Sequence, residues 1–202
     1  MDIRLMVPGL VLFIATHLFT TQRKARAQAL ARLGEPVYKG LYTLASVVGL
    51  VLIVWGYAQY RSHGVSPLWH PPAAAQYFTA FLMLPALILM AASYARGRIF
   101  ASVRHPMLIG TMLWAAAHLA ANGDFGSIIL FAAFLGFAMV DLASFAWRSD
   151  RGGPPIGVGG AVNDAIAVAL GVVAYGALAG FLHLWAFGVP ALQSWPGSAG
   201  VP

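Results

Sequence analysis

The stretch from Val103 to Asp124 reads VRHPMLIGTMLWAAAHLAANGD. Its middle is apolar, with His118 set inside the run and Arg104 and His105 at its start. A run that begins on Pro106 reads as a helix, because proline is tolerated in a helix's first turn and disruptive further in. It closes on Ala121, Asn122, Gly123 and Asp124, a composition that reads as a tight turn. The next residues, FGSIILFAAFLGFAMVDLASFAW from Phe125 to Trp147, are apolar again. The expected local structure is a helical hairpin, and neither helix has the polar face that a soluble helix turns to water.

The rest of the chain has the same character. Of its 202 residues 60% are hydrophobic, and the mean hydropathy is +0.77, more apolar surface than a soluble domain buries. Six Trp, seven Tyr and twelve Phe supply interfacial anchors as well as lipid-facing bulk. The absence of cysteine excludes disulfides, thiolate metal sites and catalytic thiols. At about 20 apolar residues per crossing, candidate spans fall at 5–22, 40–60, 76–96, 105–121, 125–147 and 161–187. The expected fold is all-α, a polytopic transmembrane helical bundle of about six spans, forming a single integral-membrane domain over residues 1–202. The first run lacks a basic leader and a small-residue cleavage site, so it is expected to stay in the mature protein.

The net charge is +6. Its basic residues sit in loops: Arg23, Lys24, Arg26, Arg32 and Lys39 after the first span, Arg96, Arg98 and Arg104 after the third, Arg148 and Arg151 after the fifth. That asymmetry is a topology signal rather than a nucleic-acid footprint, and nucleic acid is not an expected partner. It puts those loops in the cytoplasm and both chain ends on the outer, periplasmic side of a bacterial inner membrane. The segment TQRKARAQALARLGEPVYKG reads as helical before Gly34 and broken around Pro36, either an interfacial elbow or a basic connector. The loop RSHGVSPLWHPPAAAQ, with His63 and His70, is too rich in Pro, Gly and Ser for a helix. RGGPPIGVGG, Arg151 to Gly160, reads as a flexible linker.

Polar residues within the hydrocarbon region cost on the order of 3 kcal/mol each at mid-span, which makes them functional candidates. Towards the cytoplasmic side lie His17, Arg104, His105, Asp141, Asn163 and Asp164; towards the outer side lie His118 and His183. The inner group suits a proton relay, an anion clamp, or a metal or haem site. Plainer roles stand beside these: membrane anchoring for Arg104, capping for His105, pairing with loop arginines for Asp141 and Asp164, and a helix-to-helix hydrogen bond for His118 or His183. His105 and His118 are about 20 Å apart along one helix and cannot serve one small site together.

The order of these features resembles the NnrU family, which includes the plant and cyanobacterial 15-cis-zeta-carotene isomerases. The matching pieces are a histidine in the first helix, RLGEPVYKGLYTLASVVGLVLIVWGY, and above all RHPMLIGTMLWAAAHLAANGDFGSIILF. One departure is Leu18, which follows the first-helix histidine where the family has a small hydroxyl residue. The resemblance implies a membrane protein that binds haem b through histidines, its isomerase members using ferrous haem to rotate a cis double bond of a linear polyene. It also implies a link to denitrification and nitric oxide. Carried over, the iron ligands fall on His17 and His118, with RHP on Arg104, His105 and Pro106. The expected small-molecule partner is a polyene or other lipid-like ligand, beside the membrane lipids themselves.

Depth argues for a different pairing, since His17 lies about 18 Å from the outer end of its span and His118 about 5 Å from its own. Helix tilt of about 20° closes part of the difference. Topology alone pairs His17 with His105 and leaves Arg104 as a bidentate partner for a haem propionate. Two other readings stay open: a membrane methyltransferase that uses an RHP motif to bind S-adenosylmethionine, and a non-enzymatic accessory or transport protein with a proton path through His17, Asp141 and Asp164.

Overall fold

The computed structural model describes residues 3–65, 67–147 and 157–191. In chain order the helices are α1 (Met6–Phe19), α2 (Arg23–Leu33), α3 (Glu35–Ser62), α4 (Ala74–Ala95), α5 (Arg98–Val103), α6 (Pro106–Ala121), α7 (Phe125–Trp147) and α8 (Ala161–Ala177). A π-helical turn at Leu178–Leu182 carries α8 into a short final helix, α9 (His183–Phe187). Among the described residues there is no strand, only an isolated antiparallel bridge between Pro67 and Asp124.

The fold class expected from composition is therefore observed, but the span count is only partly supported. Among the described residues four helices are long and apolar enough to cross a membrane: α3, α4, α7 and the continuous rod Ala161–Phe187. At 14 and 16 residues, α1 and α6 fall short of the about 20 that a straight crossing needs. Side-chain chemistry ends them early. The hydroxyls of Thr20 and Thr21 donate to the carbonyls of His17 and Leu18, and the Asn122 amide donates to the His118 carbonyl, so side chains take up end carbonyls that another helical turn would use. Large apolar side chains stand exposed on the long helices, as with Phe81 at 74% and Val173 at 69%. A surface of that kind belongs against lipid, as in an integral membrane protein.

The chain divides into two compact units, Met1–Leu68 with Asp124–Gly152, and Trp69–Gly123 with Gly153–Pro202. In the first, α1 packs along α3, and α7 adds to α1. Glycines permit the α1–α3 approach: a Cβ on Gly9 would stand 2.7 Å from the Ile53 amide nitrogen, and one on Gly49 2.9 Å from that of Phe13. Backbone-to-backbone packing through glycine is the usual device between membrane helices, where burial in lipid gives no hydrophobic drive. Between α2 and α3 the chain turns at Gly34, whose φ of 76° disfavours any side chain. Pro36 then sits in the first turn of α3, so the helix before Gly34 and the break after it are both present. No residue of α2 is buried.

In the second unit α4 is central. Both α6 and α8 pack closely on it. Gly110 lets α6 meet the Ala86 carbonyl, and Gly171 lets α8 meet Ile88. The Thr79 hydroxyl reaches the Ala117 carbonyl at 2.8 Å, a polar link from α4 to α6. Arg148, Arg151 and most of the expected linker lie outside the described residues.

Candidate functional site

The sequence candidates distribute over the two units. In the first unit, His17 lies on the last turn of α1, half-buried. Its ring stacks on Phe13 at 4.1 Å and meets Tyr42 at 5.4 Å and Phe137 at 5.8 Å. Asp141 is on α7, where the Ser144 hydroxyl donates to its backbone carbonyl at 2.5 Å and approaches its Oδ1 at 3.3 Å.

In the second unit, Arg104 and His105 make the corner from α5 into α6. Arg104 is exposed and has φ 64°, a backbone region that a non-glycine residue seldom occupies. The His105 amide donates to the Val103 carbonyl, and its carbonyl accepts from Ile109. Pro106, fully buried, then opens α6. His118 stands at the other end of the same helix, about 20 Å away, so RHP and His118 do not belong to one small site.

Asp164 and Asn163 have backbone partners. The Asp164 Oδ1 accepts from the Ile99 amide at 2.9 Å, and the Asn163 amide donates to the Ala95 carbonyl at 2.6 Å. The Gly159 amide donates to the Arg96 carbonyl. Together these bonds tie the start of α8 to the corner between α4 and α5. A side chain on Gly97 would collide with the Asp164 carboxylate.

His118 has the most organised surroundings of these residues. Its Nδ1 lies 2.8 Å from the Trp114 carbonyl oxygen. A carbonyl can only accept, so Nδ1 carries the proton and Nε2 the lone pair, the form in which imidazole binds a metal. A ligating histidine ordinarily has its other nitrogen held in this way. His17 makes the same bond to the Phe13 carbonyl, 2.7 Å, and so does exposed His63 to the Gln59 carbonyl. The bond sets the tautomer, and by itself it does not select a ligand. What singles out His118 is its neighbour: the His183 ring lies 6.5 Å away, centroid to centroid, with the planes 24° apart. His183 has its own Nδ1 bond, 2.7 Å to the Val189 carbonyl, made where the chain turns back at Gly188 with φ 70°.

Sequence reasoning placed His183 near the outer interface and did not join it to His118. The π-helical turn just before it is the structural signal, since such turns recur at functional sites. A second group missed in the sequence is in the first unit. Asp124 is 5% exposed; its Oδ1 accepts from the Ser127 amide at 2.9 Å and its Oδ2 from the Ser127 hydroxyl at 2.7 Å. Arg61 approaches the same carboxylate at 3.4 Å, and Tyr57 shares a hydrogen bond of 2.8 Å with Ser127. This is an N-cap of α7 enlarged into a buried network.

Among the described residues no three or more His, Asp or Glu side chains gather into a metal-binding group. A bare ion takes three or four protein ligands. Haem needs only one or two, because the porphyrin occupies four positions, so the donor set fits haem. No curated protein and no solved structure is significantly similar to the chain. A family model described as NnrU protein matches residues 5–191, nearly the whole chain. The chain is a member of the NnrU family.

Proposed function

We propose that this chain is a haem b-binding integral membrane protein in which His118 is an axial ligand of the iron. The observation that carries the reading is an imidazole within an apolar helix that has both its Nδ1 proton held by the Trp114 carbonyl and a second imidazole, His183, beside it at 6.5 Å. The NnrU resemblance supports it, since it assigns a ligand to this same residue, with His17 as the second. When bound, the haem supplies a redox-active iron, and in isomerase members it acts on a cis double bond of a polyene. The chain's part is to hold the imidazole in one tautomer, to keep water away with apolar helices, and to admit a lipid-like ligand from the bilayer.

In this reading α1 and α6 are also crossings, at about 21 and 24 Å of helix, accommodated by local thinning of the bilayer. Six crossings leave both ends of the chain on the outer side, with the basic loops in the cytoplasm.

Titration of the detergent-purified protein with haemin tests the proposal. The wild type saturates at one haem per chain. His118→Ala binds at least about tenfold more weakly, and His105→Ala, at the far end of α6, binds as the wild type does. Equal binding by wild type and His118→Ala would remove His118 from the site.

A further inference from the structure

We infer that, independently of any haem, the elbow between α2 and α3 holds anionic phospholipids of the surrounding membrane, with phosphates on Lys24 and Arg32 and acyl chains along α3. The protein itself leaves the cations of this elbow unbalanced. Between residues 23 and 39 stand Arg23, Lys24, Arg26, Arg32 and Lys39 against a single acid, Glu35. Lys39 takes that acid in an ion pair of 2.6 Å. The helix gains nothing from its own charges: Arg23, Lys24 and Arg26 occupy the first turn of α2, where the backbone already carries partial positive charge, and no acidic residue accompanies them there.

α3 is long and apolar enough to cross a membrane. α2, with four cations in 11 residues, cannot follow it into hydrocarbon, and Gly34 turns the chain between the two, so α2 is held at headgroup depth. Its faces differ. Arg23, Arg26 and Leu30 are half-buried, and the Arg26 guanidinium lies over the Tyr38 ring at 6.0 Å. Lys24, Gln28 and Arg32, spaced by four, form an exposed face. Among the described residues neither Lys24 nor Arg32 has a hydrogen bond or an ion pair. Shortly after Arg32, α3 begins an unpacked apolar stripe of Val37, Leu41, Leu44, Val48 and Val51, all exposed and at the spacing of one helix face. A soluble anion would use only the cations, and a neutral lipid only the stripe. Both together fit an amphiphile with a negative headgroup. Lys24 and Arg32 are about 12 Å apart along the helix, too far to share one phosphate, so each takes its own lipid. Each is expected to enrich anionic lipid roughly fivefold, which corresponds to about 1 kcal/mol.

The chain has no cysteine, so Gln28→Cys carries a fluorophore at one place, midway between the two cations. The full-length protein labelled there is reconstituted into phosphatidylcholine vesicles containing a small fraction of either phosphatidylglycerol or phosphatidylcholine that bears a nitroxide near the headgroup end of one acyl chain. Phosphatidylglycerol is expected to quench with about fivefold preference. Lys24→Gln and Arg32→Gln each lower that preference, their combination removes it, and the charge-conserving combination of Lys24→Arg and Arg32→Lys keeps it. Salt at about 1 M removes it as well, because the screening length falls to about 3 Å. Millimolar inorganic phosphate at constant ionic strength leaves it in place. Equal quenching by the two lipids, or a preference that survives the loss of both cations, would overturn the inference. Displacement by inorganic phosphate would also overturn it, making this face a site for soluble anions.

Discussion

Gly9→Ala tests how the first unit is held together. A methyl group there would lie 2.7 Å from the Ile53 nitrogen, 2.8 Å from the Leu52 Cβ and 2.9 Å from the Gly49 oxygen. Carbon finds its optimum at about 3.5–4.0 Å, so α1 must retreat from α3 by roughly 0.8 Å along most of the crossing. Two of the three obstacles are backbone atoms and cannot rotate away. Overpacking of this kind costs about 1–3 kcal/mol, and a gap of that size also forfeits a quarter to a half of the dispersion energy of neighbouring contacts. The better helix propensity of alanine returns about 1 kcal/mol, leaving a net loss of up to about 2 kcal/mol. Gly40→Ala is the control, because a Cβ there meets nothing within 4 Å and the propensity gain of about 0.5–1 kcal/mol stands alone. Unfolding in mixed micelles with rising sodium dodecyl sulfate, followed by far-UV circular dichroism, reads both. The two substitutions move the midpoint in opposite directions; a Gly9→Ala midpoint at or above wild type would refute the close approach of α1 and α3.

The same assay serves the other packing predictions. Asp124→Ala removes the α7 cap and strands the Ser127 hydroxyl, and is expected to cost about 2–3 kcal/mol, whereas Asp124→Asn retains an acceptor and costs less. The Tyr60 hydroxyl is buried with no hydrogen-bond partner among the described residues, so Tyr60→Phe should be neutral or stabilising by up to about 1 kcal/mol; a loss above that would reveal a partner for the hydroxyl. Asp164→Ala frees the Ile99 amide at the α4–α5 corner, and amide exchange there should quicken about fivefold or more, for a local loss of about 1 kcal/mol, with the rate at Ala117 unchanged.

Much of the architecture is readable from hydropathy and breakers. Apolar runs locate the long helices, Gly34 with Pro36 divides α2 from α3, and Pro106 opens α6. The end of α6 is readable from the turn at Ala121 to Asp124, whereas that of α1, expected at residue 22 and observed at Phe19, is not, because hydrogen bonds of Thr20 and Thr21 decide it and leave no mark on an average over about 20 residues. The individual histidines His17, His105, His118 and His183 stand out as polar groups in apolar surroundings. Their grouping does not, since the His118–His183 approach joins residues 65 positions apart and depends on a π turn with no sequence signature. Asp124 was legible only as a turn residue. Ser127 three positions later was the sign of a cap, and Arg61 arrives from a helix elsewhere in the chain. Asp164 illustrates the converse: a carboxylate in an apolar helix suggests chemistry, and its observed hydrogen bond is to a backbone amide.

Haem ligation by His118 is tested by the absorption spectrum of the detergent-purified protein, oxidised and dithionite-reduced, for wild type beside His118→Ala. The wild type is expected to show a Soret band that sharpens and moves on reduction, and His118→Ala to lose it or show it collapsed. A wild-type protein without a Soret band after haem reconstitution, or an unchanged band in His118→Ala, would contradict that ligation.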